Sequence, residues 1–510
     1  MPASDQYDVV IVGGGHNGLT AAAYLSLAGK RVLLLERLGH VGGAAVSAQA
    51  FDGVDARLSR YSYLVSLLPK RIISDLGLDI RLRRRRYSSY TPVPGSPTGL
   101  LVDNGDAAAT EASFGAIGAA RDFAAWSTFY AGTAKLARTL FPTVTEPLLT
   151  RSEARAALGD DALWESLIEQ PVGTTIERSF DSDLVRGVVL TDALIGTFAP
   201  NVDPTLAANR CFLYHVIGNG TGDWDVPVGG MGAVTGELHR AALLAGAEII
   251  TDAEVTSITP DGEVAFGERV VHGEWVLSNV APYVLEGLVS TSSTTGPKPE
   301  GAQVKVNLLL SRLPRLKDES VDPRAAFGGT FHINETWSQL DAAYATVAGG
   351  GIAGPLPCEI YCHSLTDPSI LSLELQHSGA QTLTVFGLHV PDRFEPDGAA
   401  LQAAVLASLN SVLAEPIESL LLADADGRPT IETKTTRDIE AALGMPGGNI
   451  FHGPLSWPFA EDGDGMTTAA ERWGVATAHP RILLAGAGAQ RGGAVSGLGG
   501  HNAAMAVLEG

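Results

Sequence analysis

A glycine-rich turn between two apolar runs near the N-terminus constrains the fold more than any other feature. The apolar run at residues 7–12 leads directly into Gly13-Gly14-Gly15-His16-Asn17-Gly18, and a second run at residues 31–35 ends at Glu36. Between them, residues 19–29 are rich in Ala and Leu, which predicts a helix. Strand, glycine turn, helix, strand and acid follow one another in the order that a dinucleotide-binding βαβ unit requires.

Each part of this motif has a physical task. Gly13 allows the tight turn, Gly15 lets the backbone approach a pyrophosphate, and Gly18 lets the helix pack on the sheet. The start of the helix, with His16 and Asn17, offers free N–H groups and a partial positive charge to the phosphates. Glu36 stands 18 residues after Gly18 and is expected to accept hydrogen bonds from the ribose hydroxyls. The alternative interpretation is a glycine-rich turn in an unrelated α/β unit.

A second glycine pair, Gly42-Gly43, follows soon after this acid. Glycine at both positions indicates that the backbone again passes close to a flat or anionic group. In a Rossmann domain that binds only a nicotinamide dinucleotide, this pair has no evident task. In flavoproteins the equivalent pair lies along the pyrophosphate and the ribityl chain, so the pattern favours FAD over NAD.

A family resemblance rests on the same residues. Residues 7–45 resemble the FAD-binding start of the phytoene desaturase and flavin amine oxidase superfamily, and residues 59–68 and 87–92 are similar to its phytoene-dehydrogenase-related subgroup. The resemblance implies that Arg37, Ala44, Ser59 and Tyr61 also contact FAD. Many members have Arg where Ala44 stands, so a contact from that side chain is not expected here.

The order of motifs predicts an α/β protein whose parts are discontinuous in sequence. We expect a Rossmann-type FAD-binding domain built from residues 1–106, 221–300 and 441–510. Residues 107–220 read as a helical insertion that forms a lid or a substrate layer. Residues 301–440, with strand-like runs and flanking helices, are expected to form an α+β substrate domain.

The resemblance also implies roles for the later segments. It places the backbone of Val255 against the adenine, and it places Gly486 and Gly488 across the ribityl chain. The helix that starts near Gly497, Leu498 and Asn502 would face the flavin N1/O2 edge, where its dipole stabilises a reduced flavin. No ribose acid follows this second glycine segment, so a separate NAD(P)H domain is not expected.

Some residues are expected on the substrate side of the cofactor: Tyr63, Trp224, Pro227, Met231 and His452. A satisfied structural histidine is the alternative interpretation of His452. Lys305 stands inside an apolar run. It could be a buried amine near the flavin, but we favour an edge lysine that extends to the surface. The sequence does not identify a catalytic base.

Composition excludes several classes of function. The formal net charge of -22 argues against nucleic acid and against anionic lipid as partners. The short basic run at residues 81–86 is interpreted as a solvated face or a chain corner. Three cysteines, Cys211, Cys358 and Cys362, are sparse and suit a reducing, cytoplasmic location as buried free thiols. No metal site is expected, because no second ligand pair follows Cys358 and Cys362 at zinc spacing.

The sequence therefore predicts an FAD-dependent oxidoreductase that takes hydride from a C–H bond of a small, mainly apolar organic substrate and leaves a double bond. The flavin performs the redox chemistry, and the protein positions the substrate and excludes water from it. Dioxygen or a quinone is the expected electron acceptor. No transmembrane segment is expected, and peripheral contact with a membrane stays open. The alternatives are a non-redox isomerase of polyene-like substrates, a flavin amine oxidase and a binding protein with a structural FAD.

Overall fold

Strands form at both apolar runs that flank the glycine-rich turn. A computed structural model describes residues 5–289, 296–395 and 397–510. Its strands are β1 (Gln6–Val12), β2 (Val32–Leu35), β3 (Ser47–Gln49), β4 (Arg57–Ser59), β5 (Leu82–Arg83), β6 (Tyr87–Pro92), β7 (Gly99–Asp103), β8 (Val226–Pro227), β9 (Glu248–Ile250), β10 (Val255–Ile258), β11 (Glu263–Phe266), β12 (Arg269–Ser278), β13 (Val304–Leu310), β14 (Thr330–Ile333), β15 (Cys358–Tyr361), β16 (Gln381–Gly387), β17 (Ile431–Lys434) and β18 (Ile482–Leu484).

The helices cluster between residues 107 and 216 and around both sheets. They are α1 (His16–Leu27), α2 (Lys70–Asp75), α3 (Ala107–Ala116), α4 (Asp122–Leu140), α5 (Arg151–Leu158), α6 (Asp161–Trp164), α7 (Val172–Ser179), α8 (Asp183–Thr191), α9 (Ala207–Val216), α10 (Met231–Leu244), α11 (Pro282–Val289), α12 (Pro323–Ala326), α13 (Trp337–Ala348), α14 (His363–Thr366), α15 (Leu373–Ser378), α16 (Gly398–Val412), α17 (Thr436–Leu443), α18 (Ala469–Arg472) and α19 (Leu498–Glu509). Within the described ranges, no helix is long and apolar enough to cross a membrane.

The first sheet is the Rossmann unit. Its order is β10-β11-β12-β1-β2-β9, and β18 pairs in parallel with the end of β12. β1 lies between β2 and β12, parallel to both. Val9, Val10 and Ile11 are fully buried, since both faces of this parallel sheet are covered. The turn at residues 260–262 joins β10 and β11 as an antiparallel hairpin. The predicted α/β class with a Rossmann-type domain is confirmed.

The second sheet has the order β17-β13-β16-β15-β14-β6-β7. One face buries an apolar core that includes Val306, Phe331 and Ile360, packed with Leu401 of α16. Successive side chains of a strand point to opposite faces, so the alternate positions form a second, polar face. β6 pairs with β14. Residues 87–103, which the sequence groups with the first FAD-binding segment, therefore lie in this sheet, and the division into domains stays a prediction.

The helical layer has a break between its first two helices. α3 ends at Ala116 and α4 begins at Asp122. Gly118 lies in this break with a φ of +76°, a conformation in which an α-helix cannot continue. The three cysteines are buried free thiols, as predicted.

Candidate active site

A single cavity of about 710 Å³ contacts both sheets and the helical layer. One part of its wall consists of the glycine turn after β1 and the acid after β2. Another part consists of side chains from the polar face of the second sheet and from α4, α8 and α9. The nucleotide motif and the candidate substrate residues therefore share one enclosed space.

The two glycine motifs form a tight cradle at one end of this cavity. Gly42 donates a backbone hydrogen bond to the carbonyl of Gly14 at 2.9 Å. A Cβ atom on Gly43 would lie 3.2 Å from Gly15 Cα, and one on Gly18 would lie 2.1 Å from the carbonyl oxygen of Gly13. Glycine is required here because two backbone segments and the start of α1 meet without room for side chains.

Glu36 is held in place beside the cradle. Its Oε2 atom accepts a hydrogen bond from the Gly14 N–H at 2.7 Å, and its Oε1 atom accepts one from the Leu38 N–H at 2.8 Å. The side chain lines the cavity together with Arg37 and Val255. This preorganised carboxylate can accept further hydrogen bonds from sugar hydroxyls.

Buried polar atoms around the cradle test whether a dinucleotide fits. His16 Nε2, Asn17 Oδ1 and His452 Nδ1 are buried and have no hydrogen-bond partner among the described residues. Burial lowers the pKa of both His16 and His452 to about 4, so both rings are neutral near pH 7. Unpaired buried polar atoms are costly, and a phosphate–sugar ligand in this cavity offers partners for them. The residues therefore fit a dinucleotide.

The predicted site residues divide into two groups. Those that line the cavity are Gly13, Gly15, His16, Asn17, Glu36, Arg37, Gly43, Ala44, Tyr61, Tyr63, Trp224, Val255 and His452. Those that do not line it are Gly18, Gly42, Ser59, Pro227, Met231, Gly486, Gly488, Gly497, Leu498 and Asn502. Their assignment to a cofactor or a substrate stays a prediction.

The C-terminal segment supports the cradle from behind. A Cβ atom on Gly488 would meet Pro282 Cδ at 2.5 Å, and one on Gly500 would meet the Asn17 carbonyl oxygen at 1.9 Å. The Asn502 Nδ2 atom donates to the carbonyl of Val144 at 3.3 Å. The cavity wall in this region is instead formed by Ala487, Gly493, Ala494 and Val495, which the sequence analysis did not select.

Lys305 lies on the polar face of the second sheet, and the expectation of a surface lysine is wrong. β13 is paired on both sides, with β16 and β17, so Lys305 is not on an edge strand, and the residue is only 2% exposed. Its Nζ atom donates to the carbonyls of Ser59 at 2.9 Å and Tyr61 at 2.6 Å, and lies 4.8 Å from the ring centre of Tyr63. Burial holds the pKa of Lys305 well below its usual value.

The strand register extends this polar face across the cavity. Lys305 is paired with Phe386, Phe386 with Glu359, and Glu359 with His332. Burial raises the pKa of Glu359 to about 7 and that of Asp192, which lines the same cavity, to about 6. The sequence analysis missed these residues because they lie on separate elements. The available signal was the alternation of polar residues in the buried strands β14 and β15.

Tyr63, Tyr361 and Arg85 complete this part of the wall. The two tyrosine rings lie 4.6 Å apart, and the guanidinium of Arg85 lies 5.9 Å from the ring centre of Tyr361. Arg85 donates to the carbonyl of Trp224 at 3.2 Å and to the Thr330 hydroxyl at 3.1 Å. Arg85 therefore lies in the cavity wall, and the prediction that residues 81–86 form a solvated face does not hold for this residue.

Comparisons with known proteins agree with this site. Residues 11–70 match the family model described as an NAD(P)-binding Rossmann-like domain. The uncharacterized protein Rv0897c of Mycobacterium tuberculosis is 56% identical over 522 residues, covering 98% of this chain and 97% of that protein. The chain belongs to the Rv0897c family.

The Rv0897c family connects to the superfamily that the sequence suggested. Pyridine nucleotide-disulfide oxidoreductase domain-containing protein 2 of Rattus norvegicus is 26% identical over 573 residues, covering 99% of this chain and 93% of that protein. A variant of putrescine oxidase is 18% identical and has a TM-score of 0.59, with 99% of each chain covered. The chain therefore has the fold of the flavin-type, amine-oxidase-like oxidoreductases, and the predicted resemblance is confirmed.

Proposed function

We propose that this chain binds FAD and removes a hydride from a C–H bond of a small, mainly apolar organic substrate, which leaves a double bond. The observation that carries the proposal is the single cavity that joins the glycine cradle to a chamber with apolar walls. The apolar lining includes Leu64, Leu67, Trp126, Val188, Ile195 and Phe386. A cofactor held at the cradle can thus reach a substrate in a dry environment.

The residues of the cradle would hold the adenosine and pyrophosphate parts of FAD. Glu36 would accept the ribose hydroxyls, and the N-terminus of α1 would face the phosphates. Val255 would lie against the adenine, and Gly43, Ala44 and Tyr61 would follow the chain towards the second sheet. When bound, FAD supplies a two-electron acceptor for hydride, and the protein supplies the geometry.

Lys305 is our candidate for the proton acceptor. Loss of a hydride and formation of a C=C bond also require that a proton leaves the neighbouring carbon. A neutral lysine has two N–H groups and one lone pair. Its two N–H groups are used by the Ser59 and Tyr61 carbonyls, which leaves the lone pair to accept a proton. Burial lowers the pKa of Lys305, which favours this neutral form of the amine.

The guanidinium of Arg85 disfavours a charged amine between the two tyrosine rings. The ring of Tyr63 already faces Lys305 Nζ at 4.8 Å, and the ring of Tyr361 faces the Arg85 guanidinium at 5.9 Å. A positively charged substrate between these rings would lie beside the guanidinium of Arg85, which already occupies the face of Tyr361. We therefore propose a dehydrogenase of neutral C–H bonds ahead of an amine oxidase.

The single nucleotide-binding motif of residues 13–36 supports a proposal for the electron acceptor. The motif of glycine turn and ribose acid that residues 13–36 supply is not repeated after Gly486, so we propose dioxygen or a quinone rather than NAD(P)H. We also propose a cytoplasmic location. Mixing the reduced protein with air-saturated buffer in a stopped-flow instrument tests dioxygen directly, since rapid return of the oxidised flavin spectrum is expected.

An anaerobic spectral titration tests the reaction. The purified protein is mixed with candidate polyenes, other unsaturated hydrocarbons and amines, and the visible absorption of the flavin is followed. Bleaching by a neutral substrate, with a new double bond in the product, supports the dehydrogenase. Bleaching by amines alone would favour the amine oxidase. Movement of double bonds without net reduction would favour the isomerase.

A further inference from the structure

A buried group of three ligand-type side chains lies in the wall of the cavity, away from Lys305. It consists of His332, Glu335 and Glu359, whose potential ligand atoms all lie within 4.8 Å of one another. We call it the His332 cluster. Each of the three residues is at most 4% exposed. The dehydrogenation proposed above leaves these groups without a role.

The backbone brings the three side chains together. His332 and Glu359 are direct cross-strand partners in β14 and β15, so their side chains share the cavity face of the sheet. After β14 the chain turns at Asn334, which has a φ of +59°. The Asn334 side chain fixes this turn by donating to the carbonyl of Leu356 at 3.1 Å. Because of this turn, the carboxylate of Glu335 lies next to the ring of His332.

The distances suit a metal ion. His332 Nδ1 lies 2.6 Å from Glu335 Oε2 and 4.0 Å from Glu359 Oε1. Two ligands at about 2.1 Å from a tetrahedral ion are roughly 3.4 Å apart. An ion between these atoms therefore requires shifts of about 1 Å or less. An imidazole with two carboxylates suits Zn²⁺ or Mn²⁺.

The cluster has more acidic than basic side chains, so a bound cation would balance its charge. A third acidic side chain, Asp192, lines the same cavity and interacts electrostatically with Glu335 and Glu359. Arg85 is nearby, but its hydrogen bonds go to Trp224 and Thr330 and not to a carboxylate. Buried carboxylates require a counter-charge or protons, and a divalent ion would supply that charge.

Hydrogen bonding within the cluster is also incomplete. The Thr191 hydroxyl lies 3.1 Å from Glu335 Oε2 and 3.0 Å from Glu359 Oε1. Glu335 Oε2 is also hydrogen-bonded to His332 Nδ1 at 2.6 Å, and Glu359 Oε2 accepts a hydrogen bond from the Tyr361 hydroxyl. Glu335 Oε1 is buried and has no partner among the described residues, on a side chain that is 1% exposed. This is a second, independent indication that an electrophilic partner is missing.

We propose that His332, Glu335 and Glu359 bind one divalent first-row metal ion, Zn²⁺ or Mn²⁺, in the wall of the cavity. His332 and Glu359 line the cavity and Glu335 lies behind them. Three protein ligands leave a coordination position open, as in catalytic and substrate-binding metal sites. That position would face the cavity and take an oxygen atom of a bound organic molecule. The site does not depend on the flavin reaction.

Metal binding by the full-length protein tests the proposal without an activity assay. The flavin-loaded protein is treated with a chelator, dialysed, and titrated with ZnCl₂ or MnCl₂ in equilibrium dialysis with elemental analysis. We expect one ion per chain. Glu335→Gln is expected to weaken binding by at least about tenfold, and His332→Ala to abolish it. The matched control is Glu254→Gln, an exposed carboxyl elsewhere on the cavity wall, which is expected to bind as the wild type does.

Anomalous diffraction from wild-type crystals soaked in MnCl₂ or ZnCl₂ keeps the test independent of how the variants fold. A single anomalous peak between His332, Glu335 and Glu359 is the expected result. The proposal is overturned if no ion binds at about 100 µM, if the peak lies elsewhere, or if folded Glu335→Gln protein binds as tightly as the control. Failure of the flavin proposal would leave this result unchanged.

Discussion

The Nζ atom of Lys305 lies 2.6 Å from the carbonyl oxygen of Tyr61. This hydrogen bond joins a central strand of the second sheet to the segment that follows the glycine pair. It therefore ties the second sheet to the chain that leads away from the cradle, at a place where both residues line the cavity. The amine is buried, and burial lowers its pKa, which favours the neutral, base form of the side chain at the junction.

Lys305→Met is expected to slow anaerobic reduction of the flavin by substrate about 100-fold, because the proton acceptor is removed. Met has a similar length and fills the same buried space. Rapid-reaction spectroscopy measures the rate. Lys434→Met is the matched control, since Lys434 is the cross-strand partner of Lys305 on β17 and does not line the cavity. Equal rates in both variants would show that Lys305 is not the base.

Gly18→Ala is expected to prevent FAD binding. The added Cβ atom would lie 2.1 Å from the Gly13 carbonyl oxygen, and backbone cannot move away as a flexible side chain would. Flavin content after purification measures the effect. Gly236→Ala is the control within α10, where an added Cβ meets nothing within 4 Å. It should keep its flavin and gain about 0.5–1 kcal/mol of stability.

Glu36→Ala is expected to weaken FAD binding by about 10–100-fold, or roughly 1.4–2.7 kcal/mol. The change removes the acceptor of the Gly14 and Leu38 N–H groups as well as the proposed acceptor of the ribose hydroxyls. Fluorescence titration of the flavin-free protein with FAD measures the dissociation constant. A constant equal to that of the wild type would show that Glu36 does not face the ribose.

His389 is expected to make the protein less stable in mild acid. Burial lowers its pKa to about 4, and neither ring nitrogen has a partner among the described residues. Above about pH 6.5 the ring is neutral in both states. Between pH 6.5 and 4 the unfolded chain binds a proton that the folded chain does not, so the free energy of unfolding falls as the pH falls.

The variant His389→Phe isolates this contribution. The ring contacts Phe198 and Tyr344, so an aromatic replacement suits the site. Denaturant unfolding at pH 7 and pH 4 should show that the wild type loses on the order of 3 kcal/mol more than the variant. Equal losses would mean that His389 is already protonated in the folded protein at pH 4.

The nucleotide cradle could be predicted from sequence because its parts are close in the chain. Gly13, Gly15, Gly18 and Glu36 fall within a single βαβ unit, whose geometry relates spacing to position. The family resemblance, and not local spacing, assigned Asn502 to the cofactor. Its Nδ2 atom donates to the carbonyl of Val144, and its role at the cofactor stays a prediction.

The distal wall could not be predicted in the same way. Asp192, His332 and Glu359 come from a helical layer and two strands, and local spacing carries no information about such contacts. Lys305 was misjudged because an apolar run with one lysine is typical both of an edge strand and of a buried one. The pairing of β13 on both sides decides between them, and that pairing joins residues about 80 and 130 positions away in sequence.

Identification of the bound cofactor tests the account most directly. The protein is purified without added flavin, denatured, and the released small molecules are separated and quantified against the protein concentration. We expect FAD, at close to one molecule per chain, and its loss from the Gly18→Ala variant. A folded, colourless protein that takes up no FAD on addition, or that binds NAD(P)H in the cradle instead, would contradict the account.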